Sequence, residues 1–208
     1  MTIGELLPIL AIWAVAVASP GPANLTLIST ALGSGRRAAL GVASGIITGS
    51  VTWATAAGLG LGALMMAHAW TIDILRYLGA AYLLYLAFRS ARAALRAKTR
   101  ELEPTRAGIS FRKGWLKGAT VHLTNPKAIF FWGSLFAVIV SPDAPGRDLL
   151  TVGLACIATS TTVVFAYALL FSTRRAAMVY LRLQRVFDGL FAALFGGAAI
   201  SILTMRFT

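Results

Sequence analysis

The stretch SPGPAN, residues 19–24, interrupts an apolar segment long enough to cross a membrane, and TNPKA, residues 124–128, interrupts a second one. A proline inside a helix removes a backbone donor and clashes with the preceding turn. Hydrocarbon contains no water to satisfy the freed carbonyl groups, so broken backbone at membrane depth is tolerated only beside protein or a wet cavity. Two such breaks in one chain therefore indicate a transport site near the middle of a membrane.

The composition is that of a chain solvated by lipid. Of its 208 residues, 58% are hydrophobic and 12% are charged, with a mean hydropathy of +0.77, whereas soluble domains average roughly 25% charged residues. Since each span takes about 20 residues, the chain has room for about six spans and no separate soluble domain. We therefore predict an all-α polytopic membrane protein, a single transmembrane domain over 1–208, with spans at 5–32, 38–66, 70–90, 115–140, 148–172 and 186–205.

The positions of the cations predict the orientation. Fifteen of the 19 lysines and arginines fall in the loops after spans 1, 3 and 5. The last of these loops is predicted to carry Arg174, Arg175, Arg182 and Arg185. Positive-inside bias places these loops in the cytoplasm and both termini outside. Each half of the chain, about 1–100 and 110–208, then holds three spans, so the two halves cross the membrane in opposite senses, and each begins with its broken span.

Other charge and cysteine features narrow the class of protein. A net charge of +12 would suggest nucleic acid in a soluble domain, but the cations are only weakly interleaved with aromatic residues, and no nucleic-acid partner is expected. Cys156 is the only cysteine, which excludes an internal disulfide, a redox pair and a cysteine metal cage. Arg89, Arg92 and Arg96 continue span 3 as a basic helical face that is expected to rest on anionic membrane lipids.

Span 2 carries two stripes of small residues. Gly41, Gly45 and Gly49 are spaced by four, which lets another helix approach closely, either within the chain or in a second copy as a homo-oligomer. An adjacent stripe bears hydroxyl groups. Its members are Ser44, Thr48, Thr52 and Thr55. These groups either line a pathway or bond their own helix backbone.

At these residues the chain resembles the LysE/RhtB family of bacterial amino-acid exporters. The elements that match are SPGP at 19–22, the glycines of span 2, GAAYLLYL at 79–86, Phe111-x-x-Gly114 and LTNPKA at 123–128. The resemblance implies a six-helix inner-membrane protein that exports amino acids or related metabolites by exchange with protons. Some relatives carry an acidic residue after the glycines of span 2, whereas Ser50 follows Gly49 here.

The breaks offer partners to both charges of an amino acid. The N-terminus of a half-helix attracts a carboxylate, and freed carbonyl groups at the other end accept from an ammonium. The predicted substrate-binding residues are therefore those of the two patches. They are Pro20, Gly21, Pro22, Asn24, Asn125, Pro126 and Lys127.

Three titratable residues are candidates for proton coupling. Lys127 lies near the bilayer centre, where it either pairs with substrate or changes protonation, or else snorkels or caps carbonyl groups beside Pro126. His122 shares a helix face with Asn125 and either takes part in proton transfer or is bonded to a neighbouring helix. Asp188 is predicted near the cytoplasmic start of span 6, where it either carries protons or complements the helix dipole.

The alternative functions are a metal-ion or other small-solute exporter of the same superfamily and a non-transporting membrane scaffold. No cluster of His, Cys, Asp and Glu is visible inside the predicted spans, so no metal site is expected. The sequence shows neither a P-loop nor a nucleophile–base constellation, which argues against direct ATP coupling and against an enzyme. No cofactor is expected.

Overall fold

The structure is a computed structural model that describes residues 2–67, 70–95, 108–139 and 146–204. All regular secondary structure in these ranges is helical, which confirms the all-α prediction for them. The helices are α1 (Ile3–Ala18), α2 (Pro22–Ala67), α3 (Trp70–Leu95), α4 (Phe111–Leu123), α5 (Pro126–Ile139), α6 (Gly146–Leu170) and α7 (Arg174–Thr204). Both proline patches end one helix and begin the next, as their sequences predict.

Helix α2 contains one break of its own. Gly35 has a φ of 80° and a ψ of 178°, a conformation that a residue with a Cβ atom rarely adopts. The break separates residues 22–34 from residues 36–67 and coincides with the predicted loop between spans 1 and 2. The exposed Arg36 and Arg37 follow it directly.

Two of the described helical segments are individually long and apolar enough to cross a membrane, Pro22–Gly60 and Gly146–Leu170. Helix α1 is also apolar but has only 16 residues. With residues 22–34 it covers the predicted first span, and α4 with α5 covers the predicted fourth.

The predicted connection between spans 5 and 6 is helical over most of its length. Helix α7 begins at Arg174, only three residues after α6 ends, so Arg174, Arg175, Arg182 and Arg185 are helical. The reason is local, because arginine favours helix and no Gly or Pro stands between Arg174 and Asp188 to stop it. Four cations of the predicted loop between spans 3 and 4 lie outside the described residues. They are Arg96, Lys98, Arg100 and Arg106.

Helix α2 packs most extensively against α4, through glycines on both sides. A methyl group at Gly45 would overlap the carbonyl oxygen of Trp115, and one at Gly118 would overlap that of Val42. At Gly49, a Cβ atom would lie 3.1 Å from the Cβ atom of His122. The glycine stripe of span 2 is therefore covered by a helix of the same chain.

Three hydroxyl groups of the stripe bond their own helix backbone. The hydroxyl groups of Ser44, Thr48 and Thr52 donate to the carbonyl groups four residues earlier, at 2.9, 2.9 and 3.0 Å. Thr48, Thr52 and Thr55 are exposed on the outside of the helix bundle.

The remaining helices enclose the two breaks. Helix α6 packs against both α1 and α2, and α3 packs along α7. Trp13 and Trp132 form an apolar cluster with Val152 and Cys156 of α6. A second cluster joins α1, α3 and α7 through Ala16, Leu83 and Phe191, among others. The two breaks therefore lie among side chains contributed by most of the bundle.

Candidate functional site

The first break leaves carbonyl groups at the end of α1 without their usual helical donors. Pro20 and Pro22 have no N–H, so the carbonyl groups four residues earlier, on Ala16 and Ala18, cannot receive those helical bonds. Ser19 takes an extended conformation, with a φ of −63° and a ψ of 147°. The α1 end therefore presents a small acceptor surface, at the negative end of the helix dipole.

Side chains from three helices donate to this acceptor surface. Lys127 Nζ donates to the Ala16 oxygen at 2.9 Å, and the Tyr167 hydroxyl donates to the Ala18 oxygen at 2.9 Å. Asn24 Nδ2 donates to the carbonyl oxygens of Val17 at 2.7 Å and of Ser19 at 2.8 Å. Asn24 is only 5% exposed, and it stabilises the break from within.

The second break exposes the beginning of α5. Pro126 is the first residue of that helix, a position where its missing N–H is not needed. Asn125 Oδ1 accepts from the Lys127 backbone N–H at 3.1 Å, as a helix cap does. The positive end of the α5 dipole thus lies beside the negative end of the α1 dipole.

Lys127 joins the two breaks. It belongs to the first turn of α5, yet its ammonium bonds the Ala16 carbonyl oxygen and the Ser19 hydroxyl at the end of α1. Gly21 faces the same ammonium, since a Cβ atom there would lie 3.9 Å from Nζ. The carbonyl group that Lys127 caps therefore belongs to the other break and not to the residues beside Pro126.

A cavity of about 500 Å³ opens on one side of the breaks. Its charged lining groups are Lys127, Asp188 and Arg89, the last near the end of α3. The remaining lining residues come from both breaks and from α2, α3 and α7. They are Ser19, Pro20, Gly21, Pro22, Leu25, Leu86, Ser90, Ala93, Asn125, Pro126, Phe191 and Phe195. The volume lies in the range of roughly 300–1,000 Å³ that is usual for small-molecule sites.

The predicted position of Asp188 at the start of a helix is wrong. Because α7 begins at Arg174, Asp188 lies in the middle of that helix, and it is only 7% exposed. It cannot complement the helix dipole from a first turn there. It instead lines the cavity that also contains the Lys127 ammonium, and opposite charges in one cavity reduce each other's cost of burial.

A second cavity, of about 70 Å³, lies on the other side of the breaks. It shares Ser19, Gly21, Asn125 and Lys127 with the larger one. Its own polar residues are Asn24, Ser50, His122 and Ser160. Its apolar wall is formed by Trp13, Ala16, Val17, Ala23, Ile46, Ala128, Phe131, Trp132 and Val164.

Two tryptophans form part of the wall of the small cavity. The rings of Trp13 and Trp132 meet edge to face, with centroids 4.5 Å apart. Trp13 Nε1 donates to the Ser160 hydroxyl at 2.9 Å, and Trp132 Nε1 donates to the Ser50 hydroxyl at 3.1 Å. Each ring is therefore fixed both by its neighbour and by a hydrogen bond to an adjacent helix.

Comparison with known proteins identifies the family. The family model of the LysE type translocators matches residues 14–206. The chain belongs to this family. It is 33% identical to the threonine efflux proteins of Salmonella typhimurium and Escherichia coli K12, over 92% of its own length and 94% of theirs. It is 32% identical to the homoserine/homoserine lactone efflux protein of Salmonella typhimurium over 73% of each chain. No solved structure matches.

Membership makes the chain a membrane transporter of the translocator type, and not an enzyme. In this LysE type translocator the structure brings the seven predicted substrate-binding residues to the two breaks, and all but Asn24 line the larger cavity. His122 lines the smaller cavity and Asp188 the larger one. Within the described residues, no three His, Cys, Asp or Glu side chains are grouped to hold a metal ion.

Several residues of the site were missed from the sequence. Ser50, Ser160 and Tyr167 lie in other spans and reach the site only through tertiary packing. One signal was available, because Pro20 and Pro22 deprive specific carbonyl groups of their donors. This requires N–H or O–H side chains elsewhere, although it does not say which ones.

Proposed function

We propose that this LysE type translocator exports an amino acid from the cytoplasm in exchange for protons. The observation that carries the proposal is the meeting of two oppositely charged helix ends at Lys127. The start of α5 suits a carboxylate, and the end of α1 suits an ammonium. The relatives named for threonine and homoserine efflux make these two amino acids the first substrates to test.

The substrate amino group competes with Lys127 for the same acceptors. In the structure, the Lys127 ammonium occupies the Ala16 and Ser19 oxygen atoms. Two cations cannot share these atoms, because like charges at contact distance repel. In the proposed topology the larger cavity faces the cytoplasm. Binding of substrate from this cavity therefore displaces a proton from Lys127 into it. Lys127 regains a proton from the other side once the substrate has left, which couples export to inward proton movement.

Asp188 and His122 complete the proposed coupling group. Asp188 lines the larger cavity and gives the displaced proton a first acceptor. His122 lies on the other side, in the small cavity, where a proton returns to Lys127. The breaks thus act as the barrier that both the proton and the amino acid must pass.

The proposed topology has six spans in two inverted halves, with both termini outside. Helix packing supports it. Residues 36–67 run parallel to α4, since Gly45 meets Trp115 and Gly49 meets His122. Helix α1 runs parallel to α6, since Trp13 meets Ser160 and Ala18 meets Tyr167. Each broken span thus packs in parallel on the second span of the other half, which is the pairing that an inverted repeat generates.

Growth protection tests the proposal. Cells that overproduce the protein are grown with inhibitory amounts of threonine, homoserine and other amino acids. Lys127→Ala is expected to abolish the protection, whereas Lys113→Ala, which changes an exposed lysine of α4, is expected to retain it. Retained protection by Lys127→Ala at equal membrane abundance removes Lys127 from the mechanism.

Proton coupling is tested separately with purified protein in liposomes. Accumulation of threonine against its gradient is expected to depend on an imposed proton gradient and to stop when an ionophore dissipates it. Equal accumulation without any ion gradient contradicts antiport. No specific observation favours the alternatives of metal export or a non-transporting scaffold.

A further inference from the structure

The small cavity has the features of a pocket for one substituent of a substrate. Its volume of about 70 Å³ is a fraction of the roughly 300–1,000 Å³ that whole ligands occupy. It adjoins the larger cavity at Ser19, Gly21, Asn125 and Lys127. A group held at these four residues can therefore extend into the small cavity but cannot fit inside it.

His122 is the polar group of this cavity that is left without a partner. Both ring nitrogen atoms are buried and make no hydrogen bond within the described part of the chain. The other polar side chains of the cavity's own lining each make at least one hydrogen bond within the protein. The hydroxyl groups of Ser50 and Ser160 accept from the two tryptophans, and Asn24 Nδ2 donates to two carbonyl oxygens.

The packing of α2 holds the imidazole in place. Because residue 49 is glycine, the His122 ring lies directly on the α2 backbone, with Cδ2 only 3.2 Å from where a Cβ atom would stand. The lining of the cavity also includes the apolar side chains of Ile46 and Val164. Among the described residues that line this cavity, His122 is therefore the one whose buried nitrogen atoms lack a hydrogen bond.

We propose that the small cavity holds the side chain of the exported amino acid and that His122 selects a hydroxyl group on it. This inference rests on the proposed function, in which the two breaks hold the amino and carboxyl groups. A small hydroxylated side chain can bond one of the two imidazole nitrogen atoms and fills the cavity. An apolar side chain of the same size leaves the buried nitrogen atoms unpaired, which is the basis on which binding sites reject such analogues.

Threonine and valine provide the direct comparison, because they differ in a hydroxyl and a methyl group. Liposomes that contain the wild-type protein are expected to transport threonine faster than valine. His122→Phe is expected to lower the threonine-to-valine ratio by about three- to tenfold, the factor that a neutral hydrogen bond is worth. His122→Gln, which restores a donor and an acceptor, is expected to recover part of the ratio.

The size of the pocket is tested independently of His122. Ile46→Ala and Val164→Ala widen the wall and are expected to raise leucine transport relative to threonine severalfold. Ile47→Ala and Val163→Ala are the matched controls, since these neighbours do not line the cavity, and they are expected to leave the ratio unchanged.

The outcomes separate this inference from the proposed function. If wild-type protein transports threonine but the two ratios do not respond to these variants, the side-chain pocket is wrong and amino-acid export stands. If His122→Phe slows threonine and valine equally, His122 acts in coupling and not in selection, which also overturns the inference. If wild-type protein transports no amino acid, the proposed function itself fails.

Discussion

Lys127 carries its charge at an unfavourable end of its own helix. The first turn of α5 is the positive end of the helix dipole, which disfavours a cation. Its burial is offset by groups from elsewhere, namely the Ala16 carbonyl oxygen, the Ser19 hydroxyl and the carboxylate of Asp188 in the same cavity. The position of this lysine is therefore explained by both breaks together and not by α5 alone.

Asp188→Asn tests whether the Asp188 carboxylate accepts a proton during transport. Exchange of threonine across a liposome membrane without a gradient needs no net proton transfer, whereas accumulation driven by a proton gradient does. If Asp188 accepts the proton displaced from Lys127, Asp188→Asn loses most of the driven accumulation, at least tenfold, and retains exchange. Both rates are measured with labelled threonine.

The matched control is Asp148→Asn, in the first turn of α6 and outside both cavities. This variant is expected to exchange threonine and to accumulate it at the wild-type rates. Driven accumulation at the wild-type rate in Asp188→Asn would show that the carboxylate is not a proton acceptor. Loss of exchange together with accumulation would assign it to substrate binding instead.

The elements show how far the sequence could predict this site. The two breaks were predictable, because Pro20, Pro22 and Pro126 act within one turn of their own positions. The partners across the breaks were not, since Lys127 and Ala16 are 111 positions apart and Tyr167 and Ala18 are 149 apart. Such pairs depend on packing between helices, which a single sequence does not encode locally.

The start of α7 was not predicted correctly, for the opposite reason. A basic run was interpreted as a loop because charge usually marks the end of a span, but these arginines also favour helix. Extending α7 back to Arg174 moved Asp188 from a helix end to the cavity wall. Because the start of this helix was placed too late in the chain, the sequence did not indicate that Asp188 lies in the wall of the larger cavity.

The contact between α2 and α4 can be tested with two glycines of one helix. Gly45→Ala places a methyl group on the Trp115 carbonyl oxygen, so the helices must separate and the protein should lose stability by about 1–3 kcal/mol, as overpacked interiors do. Gly58→Ala meets nothing within 4 Å, and its higher helix propensity should leave the stability equal or raise it by about 0.5–1 kcal/mol. Thermal unfolding in detergent measures both.

An unchanged unfolding temperature in Gly45→Ala would mean that α4 does not lie against this face of α2. Because His122 rests on Gly49 in the same contact, Gly45→Ala is also expected to slow transport. A fall in stability for both variants alike would instead indicate a general sensitivity of α2.

The two cavities beside the breaks differ in size and in the residues that surround them. The larger cavity is lined by Arg89 and Ser90 near the end of α3, whereas Trp13 and Trp132 meet edge to face in the wall of the small cavity. In the proposed topology the larger cavity faces the cytoplasm, and movement of one half against the other would expose the site to the outside. One experiment can therefore answer the question of which end of the bundle faces the cytoplasm and from which side the larger cavity is reached.

Cysteine labelling answers that question, because the native Cys156 is fully buried and gives a low background. With a membrane-impermeant maleimide, Arg147→Cys, exposed at the start of α6, is expected to react in intact cells. Ser90→Cys, in the larger cavity, is expected to react only after the membrane is opened. The reverse pattern would place the larger cavity on the outer side and contradict the proposed topology. Reaction at both positions in intact cells would show that the larger cavity can also be reached from the outside.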